Sequence, residues 1–148
     1  MANKAASKAL LNAPCRCGSK RKYKRCCRTL HAGAAARDPE ALMRSRYCAY
    51  ALGLVDYILD TTHPDNAEAR PDRAAWAREV AAFSQATRFV GLEVRSSAVH
   101  EAEGWGEVEF RARLLRDGED LSFAERSRFE RAGDDSRWVY HSGEMLPD

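Results

Sequence analysis

The chain has 148 residues, 45% hydrophobic and 31% charged, with a formal net charge of +2. That length suits one ordinary domain with a single core plus a small appendage, and that composition excludes disorder as the default state. The near-neutral total hides an asymmetry, because residues 1–31 carry nine Lys or Arg and no Asp or Glu, so the remainder sums to −7. A basic head on an acidic body is suited to meeting something acidic.

No secretory leader is expected. The apolar stretch Ala9-Leu10-Leu11 ends at Asn12, and Pro14 before Cys15 does not suit lipid attachment. No run approaches membrane-spanning length. The expected compartment is a reducing cytoplasm, where clustered cysteines bind metal more often than they pair.

In chain order, residues 1–13 read as a mobile, Ala/Lys-rich tail. Residues 14–30 form a small module holding four of the five cysteines, as Cys15-Arg16-Cys17 and Cys26-Cys27. Two short-range thiol pairs separated by a loop can wrap one tetrahedral ion, and Zn²⁺ is the usual guest of four thiolates. Such a site is coordinatively closed and therefore structural. Apart from cysteine, only Tyr23 and Leu30 offer this segment a core, so buried area alone cannot fold it. Metal binding supplies about 10–16 kcal/mol of apparent free energy to offset the ordering. Gly18-Ser19 allows a tight turn behind the first pair, and the neighbouring Lys and Arg favour thiolates. Residues 31–37 read as a short linker.

Residues 38–148 then read as one α+β domain. Asp38 caps a helix with Pro39 at its first position, and Met43, Tyr47, Tyr50 and Leu54 form its apolar stripe. Gly53 breaks the helix, a second piece covers 55–61 with Tyr57 and Ile58 inward, and Pro64 ends it. A third helix starts at Pro71-Asp72 with Trp76, Val80 and Phe83 on its inner face. Strand-like alternation covers 89–99, interrupted at Gly91. A hairpin joins 107–116 to 119–131 through the two-residue turn Asp117-Gly118. That turn pairs Leu114 with Leu121, Ala112 with Phe123, Phe110 with Glu125, Glu109 with Arg126 and Glu107 with Arg128. One face is then mostly apolar and the other carries opposite charges. A last strand holds Trp138 and Tyr140, and a four-residue loop before it would place Trp138 opposite Phe129, which buries the most aromatic surface. About three helices packed on one face of a curved antiparallel sheet of about four strands leave room for a pocket between the layers.

The run from Pro14 to Cys27 resembles the SEC-C motif, the short zinc module also found at the C-terminus of the bacterial preprotein-translocase ATPase. The match rests on Cys15, Cys17, Gly18, Ser19, Tyr23, Cys26 and Cys27. The chain departs from it at Arg16, where the family usually has Pro, and at Lys20, where it usually has Gly. The resemblance implies docking, since the translocase module contacts an acidic chaperone and the ribosome. The segments Glu40 to Tyr50, Thr62-His63-Pro64, Glu125 to Phe129 and Trp138-Val139-Tyr140 are similar to the YchJ-like family of uncharacterised bacterial proteins. That family joins a SEC-C module to a nuclear-transport-factor-2-like α+β cone.

Glu125 falls on the apolar face of its strand. It either lines the pocket as an acid or base, or accepts hydrogen bonds from a nearby Arg or Tyr. His63 either faces the pocket mouth or caps its own turn. Arg44 and Arg46 are either solvated or paired with a carboxylate, and Cys48 reads as a small buried residue. The leading expectation is a non-enzymatic adaptor that binds one structural Zn²⁺ and docks on an acidic protein or ribosomal partner. Lys20, Arg21, Lys22, Lys24 and Arg25 would make that contact. The alternatives are a small-molecule isomerase or dehydratase using Glu125, His63 and a Tyr in the pocket, and RNA binding by the basic module with Tyr23 stacked on a base.

Overall fold

A computed structural model describes residues 6–147 of the chain. Asp38 starts the first long helix, α3 (Pro39–Leu52), by accepting the Ala41 amide at 2.8 Å, and Pro39 fills the position where no N–H is needed. Gly53 stops that helix in the left-handed region, at φ 74°. Helix α4 (Val55–Asp60) follows, and then α5 (Arg73–Ala86), capped by Asp72. Ahead of them lie two short helices, α1 (Lys8–Asn12) and α2 (Cys27–His31). Among the described residues, no helix is long and apolar enough to cross a membrane.

Five antiparallel strands complete the fold: β1 (Arg88–His100), β2 (Trp105–Arg116), the two-residue β3 (Glu119–Asp120), β4 (Phe123–Ala132) and β5 (Arg137–Leu146). The long strands run in the order β1-β2-β4-β5, with β3 paired to β2. Register shifts at Phe89/Gly91 and Val94/Ser96 bend β1 over the helices. The residues that end α4 fasten to the free edge of β5, where the Tyr140 amide donates to Thr61 O at 2.8 Å and the His63 amide donates to Tyr140 O at 2.7 Å.

The expected hairpin register holds, with Ala112 opposite Phe123, Phe110 opposite Glu125, Glu109 opposite Arg126 and Glu107 opposite Arg128. Arg126 bonds Glu109 at 2.9 Å on the outer face, while Arg128 turns to Glu130 at 2.8 Å and covers the Trp105 ring. The final turn corrects an expectation. Ala132 pairs with Arg137 across a loop of residues 133–136, so Trp138 faces Arg131, and Tyr140 faces Phe129 with ring centroids 5.8 Å apart. The loop has the expected four residues but begins one position later than a Trp138–Phe129 pairing requires, which moves the partner by two. Trp138 is instead buried in place, with the Arg131 guanidinium over its ring.

Two other expectations change. Residues 8–12 are a capped helical turn whose Leu10 and Leu11 pack on the cysteine cluster, so the tail ends before it; residues 1–5 lie outside the described ones. The connecting segment is also shorter, because His31 closes α2 and is buried.

The main core lies between α3 and the sheet, where Leu42, Met43 and Tyr47 meet Val108, Phe129 and Trp138. Gly106 permits the close approach there, since a Cβ would sit 2.7 Å from both Ala98 O and Pro39 Cγ. Trp76 and Val80 of α5 pack on Ile58 and Leu59, and Phe83 packs on Tyr50 and Phe89.

Candidate metal centre and cone pocket

Two backbone knuckles present the thiols. In the first, the Cys15 amide donates to Arg21 O at 2.8 Å, the Gly18 amide donates to Cys15 O at 3.2 Å, and Pro14 bridges to Lys22. In the second, the Cys26 amide closes the turn onto Tyr23 O at 2.9 Å and Cys27 opens α2. The sulfurs of Cys15, Cys17, Cys26 and Cys27 consequently lie within 4.8 Å of one another and can hold a metal ion. Cys17 and Cys26 are 3.6 Å apart, near the edge of about 3.8 Å that four sulfurs form at a metal–sulfur distance of about 2.3 Å. Ser19 Oγ at 3.2 Å and Arg21 Nη2 at 3.8 Å stand ready to donate to Cys26 Sγ, as outer partners of thiolate ligands do.

The thiols do not ionise as equals. Contact with the Cys17 thiol lowers Cys15 to about 6, while its bonds to Cys15 and Cys17 push Cys27 far up. In this buried sulfur cluster Cys15 and Cys48 are shifted down by contacts with other thiols while Cys27 is held up, and a bound dication would remove that resistance.

The module is fastened to the cone by features that spacing did not reveal. Arg16, at the position where SEC-C motifs usually have Pro, donates from Nη2 to Phe89 O at 2.9 Å. Arg44 pairs with Glu40 at 3.0 Å and also donates to Cys17 O at 2.8 Å. His31 Nε2 meets Ser45 O at 2.9 Å and Nδ1 meets the Tyr23 hydroxyl at 2.7 Å. Cys48, fully buried on α3, puts its sulfur 3.9 Å from that of Cys15. Tyr23 is 2% exposed, so it is not available to stack on a base. In contrast, Lys20, Arg21, Lys22, Lys24 and Arg25 are all exposed around the thiol loop.

The second feature is a cavity of about 540 Å³ between the helices and the sheet, lined by Arg46, Tyr50, Phe83, Phe89, Glu125 and Tyr140 among others. Glu125 Oε2 accepts from Ser127 Oγ at 2.6 Å and from the Tyr140 hydroxyl at 3.0 Å, so hydroxyls rather than an Arg hold it. Burial raises the Tyr140 pKa, as does the neighbouring Glu125, and keeps the phenol protonated. His63 does not line this cavity. Its Nδ1 accepts the Asp65 amide at 3.0 Å and its Nε2 lies 3.8 Å from Glu130, so it caps its own turn at the sheet edge.

A cysteine-clamped module seated on a helix-and-sheet cone defines a SEC-C protein with a nuclear-transport-factor-2-like domain. Residues 12–28 match the SEC-C motif, and residues 38–143 match the family described as "YchJ, middle NTF2-like domain". The chain is 44% identical over 135 residues to a UPF0225 protein of Streptomyces coelicolor, covering 90% of this chain and 96% of that one. It is 43% identical over 129 residues to a UPF0225 protein of Deinococcus radiodurans, covering 86% and 85%. Its fold is similar to the solution structure of a SEC-C motif containing protein from Rhodopseudomonas palustris, with TM-score 0.75, 38% identity, and coverage of 91% and 100%. The chain belongs to the YchJ, or UPF0225, family.

Proposed function

We propose that the protein is a non-enzymatic, zinc-dependent adaptor whose basic module docks on an acidic protein surface, ribosomal surfaces included, in the cytoplasm. Four converging thiolates select Zn²⁺ over harder cations, and a closed four-sulfur set suits a structural ion. One observation carries the docking reading: the loop that supplies the thiolates also displays Lys20, Arg21, Lys22, Lys24 and Arg25 to solvent. The metal gives that loop one shape, and the shape fixes the spacing of the cations.

The isomerase or dehydratase reading is weaker, because His63 lies outside the cavity and the tyrosines that line it beside Glu125, Tyr50 and Tyr140, are held protonated by burial. RNA binding loses the Tyr23 stack and retains only its charges.

Co-sedimentation with ribosomes tests the proposal. Zinc-loaded protein should pellet with them, and the triple variant Lys20→Glu, Lys22→Glu, Lys24→Glu should not, with its melting temperature unchanged. Equal pelleting of the two proteins would defeat the docking assignment to this loop. A steep loss of binding to naked ribosomal RNA with added salt, matching the loss on whole ribosomes, would favour RNA as the partner.

A further inference from the structure

Among the described residues, Arg46 is a buried cation with no ion-pair partner. It is 8% exposed, on the middle of α3. Its Nη1 donates to Ile58 O at 3.1 Å, Thr61 Oγ1 at 2.7 Å and Thr62 Oγ1 at 3.1 Å, and so finishes the C-terminal end of α4. That capping role accounts for one nitrogen only. Among the described residues, no carboxylate forms an ion pair with Arg46, and Nε and Nη2 have no acceptor. The side chain lines the cavity, with Cζ 4.8 Å from the centroid of the Tyr140 ring. The two nitrogens left over are not sealed off from the cavity, so an anionic ligand there can take the place of water.

Two further polar groups are open to the same space. Glu125 Oε2 is taken by Ser127 and Tyr140, whereas Oε1 has no partner among the described residues. The Tyr50 hydroxyl also lacks one, and its phenol lies in the fields of Arg46, Glu68 and Glu125 together. Arg70 and Glu79, 3.3 Å apart, neutralise each other in the lining. Thr62, Asn66 and Glu68 also line the cavity, and the rest of its wall is largely apolar, from Met43, Phe83, Phe89, Phe110 and Phe129. An apolar chamber with a few convergent polar groups is the usual form of a small-molecule site, and this volume lies in the usual range.

We propose that the cone binds a small organic acid: its carboxylate meets Nε and Nη2 of Arg46, its apolar body lies on the Phe wall, and a hydroxyl donates to Glu125 Oε1. With Arg70 and Glu79 paired, Arg46 faces two lining carboxylates, Glu125 and the more exposed Glu68, so the site suits a single negative charge plus a hydrogen-bond donor, not a dianion. Tyr140 sets the span, because Arg46 covers its ring and Glu125 binds its hydroxyl. The ligand's acid and hydroxyl are therefore separated by about the breadth of a phenol ring. This site needs neither zinc nor a docking partner, and goes beyond the adaptor role.

Calorimetry and NMR on the full chain test it with three probes: 4-hydroxybenzoate, benzoate, and 4-hydroxybenzamide. The hydroxylated acid should bind tightest. Removing its hydroxyl should weaken binding about threefold to tenfold, and removing its charge should weaken it about tenfold or more. Resonances of Tyr50, Phe89 and the Arg46 side chain should shift. Arg46→Lys, which keeps a charge but loses the planar fork, should bind the acid several-fold more weakly. Equal binding of acid and amide overturns the proposal. So does the absence of acid binding at millimolar concentration, or shifts confined to the basic loop of residues 20–25. If Arg46→Met folds and retains the preference for acid over amide, the anion site lies elsewhere and the assignment fails.

Discussion

The metal module and the cone achieve order by opposite means. The cone buries large side chains, and Leu42, Val108, Phe129 and Trp138 are each no more than 2% exposed. The module has Tyr23 and its cysteines at its centre, with Leu10 and Leu11 packed alongside, and converges four thiols that can hold a metal ion where the cone converges apolar area. The seam between them is built largely of directed bonds: Arg16 to Phe89 O, Arg44 to Cys17 O and His31 to Ser45 O, with Cys48 against Cys15. A unit too small to bury much surface is thus fixed in orientation by bonds that only one pose can satisfy. Helix α3 serves both sides at once. Leu42, Met43 and Tyr47 face the core, Arg44, Ser45 and Cys48 hold the module, and Arg46 enters the pocket.

Removing the metal should break this comparison most severely. Chelation, or Cys26→Ser with Cys27→Ser, should unfold residues 14–31 as read by NMR. The seam bonds go with the module, and three of them at about 1 kcal/mol each lower the cone's stability by about 3 kcal/mol. For a chain of this size that is a fall of about 6–12 °C in the melting temperature of the cone. A cone that melts at the same temperature with and without metal would show that the two regions are energetically independent and that the seam is mere contact.

The seam is also what sequence pattern conveyed least. The thiol cluster was legible because two close cysteine pairs on a short loop can converge on one point. The β2–β4 register was legible because Asp117-Gly118 leaves no freedom in the count. Asp38, Gly53 and Asp72 marked helix ends through local chemistry alone. Tertiary demands decided the rest. His31 looked like linker because nothing nearby in sequence announces Ser45 O as its acceptor. Cys48 looked like filler because its neighbour Cys15 lies 33 positions away. Arg46 gave no sign of its burial, because three oxygens from α4 and its end hold it and no carboxylate does. Trp138 was misplaced by two positions because its burial is met by Arg131 and the core, not by a cross-strand aromatic.

Acidity should sharpen the comparison by acting at the seam. Burial holds the His31 pKa below its ordinary 6.5, and the neutral ring accepts at Nδ1 from Tyr23 while donating from Nε2 to Ser45 O. The unfolded chain takes up this proton near pH 6.5 and the folded chain does so only at lower pH. The stability this ring confers is therefore fully present above pH 6.5 and is lost as pH falls below it, by at most about 1.4 kcal/mol per pH unit. Urea unfolding of zinc-loaded protein at pH 7.5 and 5.5 measures the loss. His31→Gln retains every thiolate, so its shallower pH dependence isolates the histidine from acid release of metal. Identical slopes for the two proteins would remove His31 from the account.

The smallest expected effect lies within the module alone. Lys20 sits at φ 72°, in the left-handed region, at the position where SEC-C motifs usually carry glycine. A Cβ there costs about 1–2 kcal/mol, and glycine returns about 0.5–1 kcal/mol of that through its freer unfolded chain. Lys20 is exposed, so its replacement forfeits no packing. Lys20→Gly should accordingly stabilise the metal-bound loop by about 0.5–1 kcal/mol, which is a gain of about twofold to fivefold in zinc affinity. Competition against a colorimetric chelator reads this directly. The melting temperature of the metal-free chain should not move, because the strain belongs to a loop that only the ion holds in shape. A gain seen equally with and without zinc would mean that the loop keeps its left-handed turn unaided, and that the module owes less to the metal than the cone owes to its core.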